Sequence, residues 1–161
     1  MKIEFNLNNS DIVIDTSPFK MLVDILRIDL GLTGTKKGCG SGNCGSCLAF
    51  INNRLLNTCM VPAFKIEGAR IVTIEGFSST KEFHSIVEAF RKAGVTLCGF
   101  CAPGIVMATE ALLVNSLAPS VAEIKMAISG NNCRCIGYNS LVNGILEAAR
   151  RRRKSNYGRK K

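Results

Sequence analysis

Eight cysteines divided into two groups of four constrain this 161-residue chain more than any other feature. The first group has the spacing C-x4-C-x2-C-x11-C, and the second joins a C-x2-C pair to a C-x-C pair across 31 residues. The two groups are Cys39, Cys44, Cys47 and Cys59, and Cys98, Cys101, Cys133 and Cys135. The N-terminus alternates polar and apolar side chains without an apolar secretory segment, so we expect a cytoplasmic protein with reduced thiols. Metal ligation is therefore the predicted use of the cysteines, in preference to four disulfides.

The first cysteine group lies in a glycine-rich loop. A C-x4-C-x2-C start with a distant fourth cysteine is the plant-type ligand pattern for a 2Fe–2S cluster. Three thiolates that point inward from one tight loop need backbone angles that glycine adopts most easily, and N–H groups of such a loop can bond to sulfur. We predict a 2Fe–2S site shaped by Gly38, Gly40, Gly42 and Gly45. A structural zinc ion held by four cysteines is the alternative.

The second cysteine group is less diagnostic by its spacing. Its two pairs precede predicted helix starts at Pro103 and Asn139. Helix N-termini favour anions, and a thiolate-ligated cluster is anionic. From the residues alone, an iron–sulfur cluster and a zinc ion both remain open here.

The pattern along the chain changes at a short Gly/Ser/Thr connector, residues 76–81. Before it, alternating residues predict two hairpins and a last strand, and Ser17-Pro18 predicts the start of a helix. The predicted strands are 2–7, 11–15, 47–51, 54–57 and 69–75. After it, helical spacing predicts four helices, with a capping box at Ser120 and Glu123. We expect a mixed domain at 1–76, a helical domain at 82–154 and a basic tail at 155–161.

Charge is concentrated at the C-terminus. The chain has 21 Lys and Arg against 12 Asp and Glu, a net charge of +9, and residues 150–161 hold eight basic residues and no acid. Residues 1–149 therefore carry 13 basic and 12 acidic side chains, a net charge of +1. A net charge this small gives residues 1–149 no general affinity for nucleic acid. No apolar run in the sequence is long enough for a membrane helix. We expect neither nucleic acid nor membrane as a partner.

Five stretches of the sequence together resemble one known family. They are Gly31–Gly40, Cys44–Cys47, Ile74–Gly76, Cys98–Gly104 and Asn132–Tyr138. In order and spacing they resemble the small iron–sulfur subunit of the molybdenum hydroxylases, the xanthine dehydrogenase family. The resemblance extends to about residue 150 and includes both cysteine groups.

The resemblance implies an α+β chain, with an N-terminal β-grasp domain of the plant-type ferredoxin kind followed by an all-α four-helix domain. Each domain would bind one 2Fe–2S cluster through its four cysteines, with Gly99 and Arg134 beside the second cluster. The implied partners are a large molybdopterin subunit and a medium FAD subunit. Electrons would pass from molybdenum through both clusters toward FAD. The chain has no flavin or nucleotide motif, so we expect it to hold no catalytic residue itself.

The sequence departs from the family near the second cysteine group. Leu97 stands where the family usually has a glutamine, and Ala102 and Ile136 replace usual hydroxyl residues. Each change removes a polar group, which affects a contact to the pterin and the tuning of the reduction potential, not cluster ligation. The alternatives to an electron-transfer subunit are a zinc-stapled interaction module whose basic tail contacts nucleic acid, and a free-standing two-cluster carrier.

Overall fold

Two hairpins and one short strand build a five-stranded sheet in the first half of the chain. The computed structural model describes residues 1–157, with side chains described as far as residue 155. The strands are β1 (Lys2–Leu7), β2 (Ser10–Asp15), β3 (Leu48–Ile51), β4 (Arg54–Asn57) and β5 (Arg70–Val72). Their order across the sheet is β2-β1-β5-β3-β4, in which β1 and β5 run parallel and the other neighbours run antiparallel.

Both hairpins turn at an asparagine pair. Asn8 and Asn9 join β1 to β2, and Asn52 and Asn53 join β3 to β4. All four residues have positive φ angles, between 48° and 69°. Two-residue hairpin loops of this kind match the twist of the strands, and asparagine tolerates the left-handed backbone better than most residues.

The first helix does not begin at Ser17-Pro18, so that prediction is wrong. Helix α1 spans only Leu22–Asp24 and continues as a π-helical turn over Ile25–Asp29. Residues 18–22 instead form backbone hydrogen bonds of 2.8–3.1 Å with residues 61–64. This pairing is distant in sequence, so the local capping pattern could not reveal it.

The last predicted strand also ends early. Strand β5 stops at Val72, and helix α2 (Ile74–Phe77) replaces its expected end. The Thr73 N–H donates to Asn8 Oδ1 at 2.9 Å, and the Phe77 N–H donates to the Thr73 carbonyl at 2.9 Å. These two bonds turn the backbone out of the sheet.

The second half contains the four predicted helices. They are α3 (Lys81–Lys92), α4 (Ala102–Asn115), α5 (Val121–Ile128) and α6 (Tyr138–Tyr157). The capping box of Ser120 and Glu123 is present at the start of α5, as predicted. Helix α6 includes residues 155–157 of the expected basic tail, and residues 158–161 lie outside the described part of the chain. Across residues 1–157, no helix combines the length and apolar character needed to cross a bilayer.

The part of the sheet formed by β3 and β5 is covered on both faces. Side chains alternate along a strand, so neighbouring residues of β3 and β5 face opposite ways. Ile51 and Ile71 pack into the core beneath α1, whereas Phe50 and Val72 pack against the core of the helical half. Helix α4 lies over this second face, so the two halves form one packed body.

One arginine of the run in α6 forms an ion pair within the folded body. Arg152 Nη2 lies 2.6 Å from Glu110 Oε2 of α4, and the two side chains are only 12% and 9% exposed. Arg150 lies farther out, with 62% of its side chain exposed, and contacts Glu147 of its own helix. At least one charge of this segment therefore belongs to the folded body.

Replacing Arg152 by methionine should lower the free energy of unfolding by about 3 kcal/mol, because it leaves the Glu110 carboxylate buried without its partner. Urea unfolding followed by far-UV circular dichroism measures the change. The matched control is Arg150→Met, whose exposed pair should contribute less than about 1 kcal/mol. Adding Glu110→Gln to Arg152→Met should recover part of the loss. If the two arginine variants lower the free energy of unfolding equally, the buried pair stabilises the protein no more than the exposed pair does.

Candidate metal centres

Glycine backbones shape the loop of the first cysteine group. Gly40, Gly42 and Gly45 have φ angles of +68°, +78° and +69°, the left-handed region that L side chains rarely adopt. Gly38 has a different role, since a Cβ there would lie 2.8 Å from the Cys44 sulfur. The loop thus depends on glycine for its turns and for the space beside a sulfur.

Backbone N–H groups of this loop point at sulfur atoms. The Ser41 and Asn43 N–H groups donate to Cys39 Sγ at 3.4 and 3.2 Å, and the Cys39 N–H donates to Cys44 Sγ at 3.4 Å. Hydrogen bonds from Ser41, followed by that from Asn43, lower the pKa of the Cys39 thiol to about 6. At neutral pH this cysteine therefore favours the thiolate, which is the form that binds metal.

The other two cysteines of the first group are buried beside each other. Cys47 and Cys59 are 1% and 4% exposed. Both the backbone N–H and the hydroxyl of Thr58 donate to the Cys47 carbonyl, at 3.2 and 2.8 Å, which holds the Thr58–Met60 turn against the loop. Burial, followed by the neighbouring Cys47 thiol, raises the pKa of Cys59 to about 11. At neutral pH Cys59 therefore favours the neutral thiol when no metal is bound.

In the second cysteine group, too, one thiol has a lowered pKa and another has a raised pKa. Backbone N–H groups of Phe100 and Cys101 lower the pKa of Cys98, which lies on the surface. Burial and the nearby Cys133 raise the pKa of Cys101 to about 11. Contact with Cys98 raises the pKa of Cys135.

All eight cysteines come together two by two. The neighbouring thiols are Cys39 with Cys44, Cys47 with Cys59, Cys98 with Cys135, and Cys101 with Cys133, and Cys135 also lies beside Cys133. Within residues 1–157, no three Cys, His, Asp or Glu side chains surround a point suited to one metal ion. Four cysteines serve two irons in a 2Fe–2S cluster, so two thiols per iron is the ligand count that such a cluster requires. The paired thiols and the N–H donors to sulfur fit this group.

Two other predicted site residues are less clearly explained. A Cβ at Gly99 would meet no atom within 4 Å, so the space around this position does not require glycine. Arg134 is exposed between Cys133 and Cys135, and among the described residues it makes no ion pair. Both remain predictions as neighbours of a cluster.

The two cysteine loops are in direct contact, which sequence reasoning missed. The Asn132 N–H donates to the Cys44 carbonyl at 3.0 Å, and the Asn131 side-chain amide donates to the Gly45 carbonyl at 3.2 Å. Gly104, in the first turn of α4, lies so close that a Cβ there would overlap the Gly45 carbonyl oxygen. The only available signal was the Asn131-Asn132 pair before Cys133, which does not reveal its partners.

Two family models match the chain, one for each half. A 2Fe-2S iron-sulfur cluster binding domain matches residues 5–68, and a [2Fe-2S] binding domain matches residues 73–146. The chain thus carries two 2Fe–2S-binding domains, as the family resemblance implied. These matches contradict the zinc alternative for both sites.

Several known proteins are similar to the chain over most of its length. The nicotinate dehydrogenase small FeS subunit of Eubacterium barkeri is 38% identical over 149 residues, which cover 92% of this chain and 95% of that protein. A probable xanthine dehydrogenase subunit from Bacillus subtilis is 40% identical, covering 89% of this chain and 80% of that protein. A chain of quinoline 2-oxidoreductase from Pseudomonas putida has the same fold, with a TM-score of 0.87 at 36% identity and coverage of 95% and 96%.

Proposed function

Because this chain belongs to the small iron–sulfur subunits of the molybdenum hydroxylases, we propose that it conducts electrons between two partner subunits. The electrons would pass from the molybdopterin centre of a large subunit, through two 2Fe–2S clusters, toward FAD on a medium subunit. The chain is thus one subunit of a molybdenum-dependent oxidoreductase, and substrate chemistry takes place elsewhere in the complex. The observation that carries the proposal is the convergence of four cysteines at each of two sites whose loops are in contact.

We assign the ligands of each iron from these pairs. In the first site, Cys39 and Cys44 would hold one iron, and Cys47 and Cys59 the other. In the second site the corresponding pairs are Cys98 with Cys135 and Cys101 with Cys133. A bound 2Fe–2S cluster accepts and releases single electrons, which is the chemistry it would supply here.

The chain's own groups would position and tune these centres. The N–H groups of Ser41 and Asn43 aim at the Cys39 sulfur, and such bonds stabilise negative charge on a ligated thiolate. Gly38 leaves room at the Cys44 sulfur, and Gly42 and Gly45 carry the loop's left-handed turns. Arg134 would offset the negative charge of the second site from its exposed position between two ligands.

Both sites have an edge at the surface, as exchange with partner subunits requires. Cys39 is exposed in the first site, and Cys98 and Cys135 are exposed in the second. Large apolar side chains are exposed beside them, Met60 to 58% and Phe100 to 46%. Exposed apolar surface next to a redox site suits a protein contact. We propose that the medium FAD subunit docks at the first site and the large molybdopterin subunit at the second, in a cytoplasmic complex.

Metal analysis of the purified protein tests the ligand assignment. We expect about four irons and four labile sulfides per chain, with negligible zinc, because each 2Fe–2S cluster holds two irons. Visible absorbance should bleach with dithionite, and two distinct EPR signals should appear on reduction. Stoichiometric zinc without iron would contradict the proposal.

Copurification tests the partners separately. Affinity purification of the tagged chain from its own cell at moderate salt should recover a molybdopterin-bearing and an FAD-bearing subunit. Recovery of the chain alone, with both clusters loaded, would favour a free-standing two-cluster carrier instead.

A further inference from the structure

Two consecutive asparagines, Asn131 and Asn132, join the loops of the two sites; we call this pair the asparagine clasp. Three successive carbonyls of the first loop each accept one hydrogen bond from it. The Asn132 side-chain amide donates to the Asn43 carbonyl at 3.1 Å, and its backbone N–H donates to the Cys44 carbonyl at 3.0 Å. The Asn131 side-chain amide donates to the Gly45 carbonyl at 3.2 Å in a partly buried position.

The same pair belongs to the second site through the covalent chain. Asn132 immediately precedes Cys133, and the Cys101 sulfur lies 3.6 Å from the Asn132 carbonyl oxygen. Close packing supports the contact, since a Cβ at Gly45 would lie 2.5 Å from the Gly130 carbonyl oxygen. The clasp therefore touches a proposed ligand segment on each side, and its donors are neutral amides that add no charge between the two sites.

We infer that the asparagine clasp is a positioning element that couples the two cysteine sites, so that a loaded second site slows metal release from the first, and the reverse. Ordering residues 133–135 around a bound metal also orders the adjoining clasp, and the clasp then holds residues 43–45 in place. Coupling of this kind is reciprocal by thermodynamic necessity. The fixed contact also holds the separation of the two sites constant. The identity of the bound groups rests on the proposed function, whereas the hydrogen bonds belong to the chain itself.

Iron release to a chelator tests the coupling in the full-length loaded protein. Site-resolved visible circular dichroism or EPR would follow the first site in four forms: the unaltered chain, Cys135→Ser, Asn131→Ala with Asn132→Ala, and all three changes together. We expect Cys135→Ser, and separately the clasp variant, to speed iron release from the first site about three- to tenfold, from the loss of one or two hydrogen bonds. The triple variant should release iron little faster than the clasp variant. Asn115→Ala, which removes an amide bonded only within α4, is the matched control and should leave release unchanged.

Independent, multiplying effects of Cys135→Ser and the clasp variant would overturn the inference, because uncoupled sites give additive free energies. Hydrogen exchange on the metal-free chain provides a second measurement. Amides of residues 43–47 should exchange several-fold faster in the clasp variant than in Asn115→Ala, and equal rates would also overturn it. A protein that never binds iron would refute the proposed function, and the exchange experiment would still decide on the clasp.

Discussion

Cys44→Ser should abolish cluster binding at the first site and reduce the iron content from about four to about two per chain. Cys44 is central to its loop: its sulfur accepts the Cys39 N–H, and its backbone carbonyl accepts the Asn132 N–H. A serine hydroxyl is a poor replacement for a soft thiolate ligand. Iron and sulfide analysis with EPR measures the result, in which the first signal disappears and the second remains.

The matched control is Ser46→Ala, a buried change in the same loop that should keep about four irons per chain. Cys133→Ser should have the opposite effect, with loss of the second EPR signal and retention of the first. In both cysteine variants the surviving cluster should be released faster than in the unaltered chain, because the loops are in contact. An undiminished iron content in Cys44→Ser would show that this residue is not a ligand.

Gly104→Ala should be the most damaging of the small substitutions. The new Cβ would overlap the Gly45 carbonyl oxygen, and both atoms are fixed by backbone, so no flexible side chain can move away. Overpacking of this kind lowers the free energy of unfolding by about 1–3 kcal/mol, and here the upper end is expected. The strain separates the two cysteine loops, so iron should also be lost faster from both sites.

Thermal unfolding and chelator challenge of the loaded protein measure these two effects. Gly130→Ala is the matched control, because a Cβ there meets no atom within 4 Å and its φ is not left-handed. We expect that control to retain its stability and its iron. A Gly104→Ala protein that behaves like Gly130→Ala would show that the loops are not tightly packed at this point.

Features encoded locally were predictable from the sequence. The asparagine turns, the capping box of α5 and the glycine-dependent loop each depend on residues within a few positions of one another. The start of α1 was not predictable, because residues 18–22 pair with residues 61–64. Spacing placed the cysteines in two groups of four but could not indicate which thiols meet, since that depends on the Thr58–Met60 turn and on the starts of α4 and α6.

The pairing of Arg152 was not predictable for a related reason. A run of arginines has no local pattern that separates a paired side chain from a solvated one. Only the packing of α6 against α4 places Arg152 beside Glu110. The contact between the two cysteine loops was missed likewise, because its partners lie in different halves of the chain.

The parallel pairing of β1 with β5 has a consequence for how the protein is made. β1 gains this neighbour only when Arg70 and Ile71 have been synthesised, long after Cys39, Cys44 and Cys47. At about 5–20 residues per second, these thiols wait roughly 1–6 seconds before the sheet can be completed. During that interval they depend on a reducing cell to stay free of stray disulfides. Metal insertion is therefore expected only after β5 has formed, and firm retention only once the ribosome has passed Asn132.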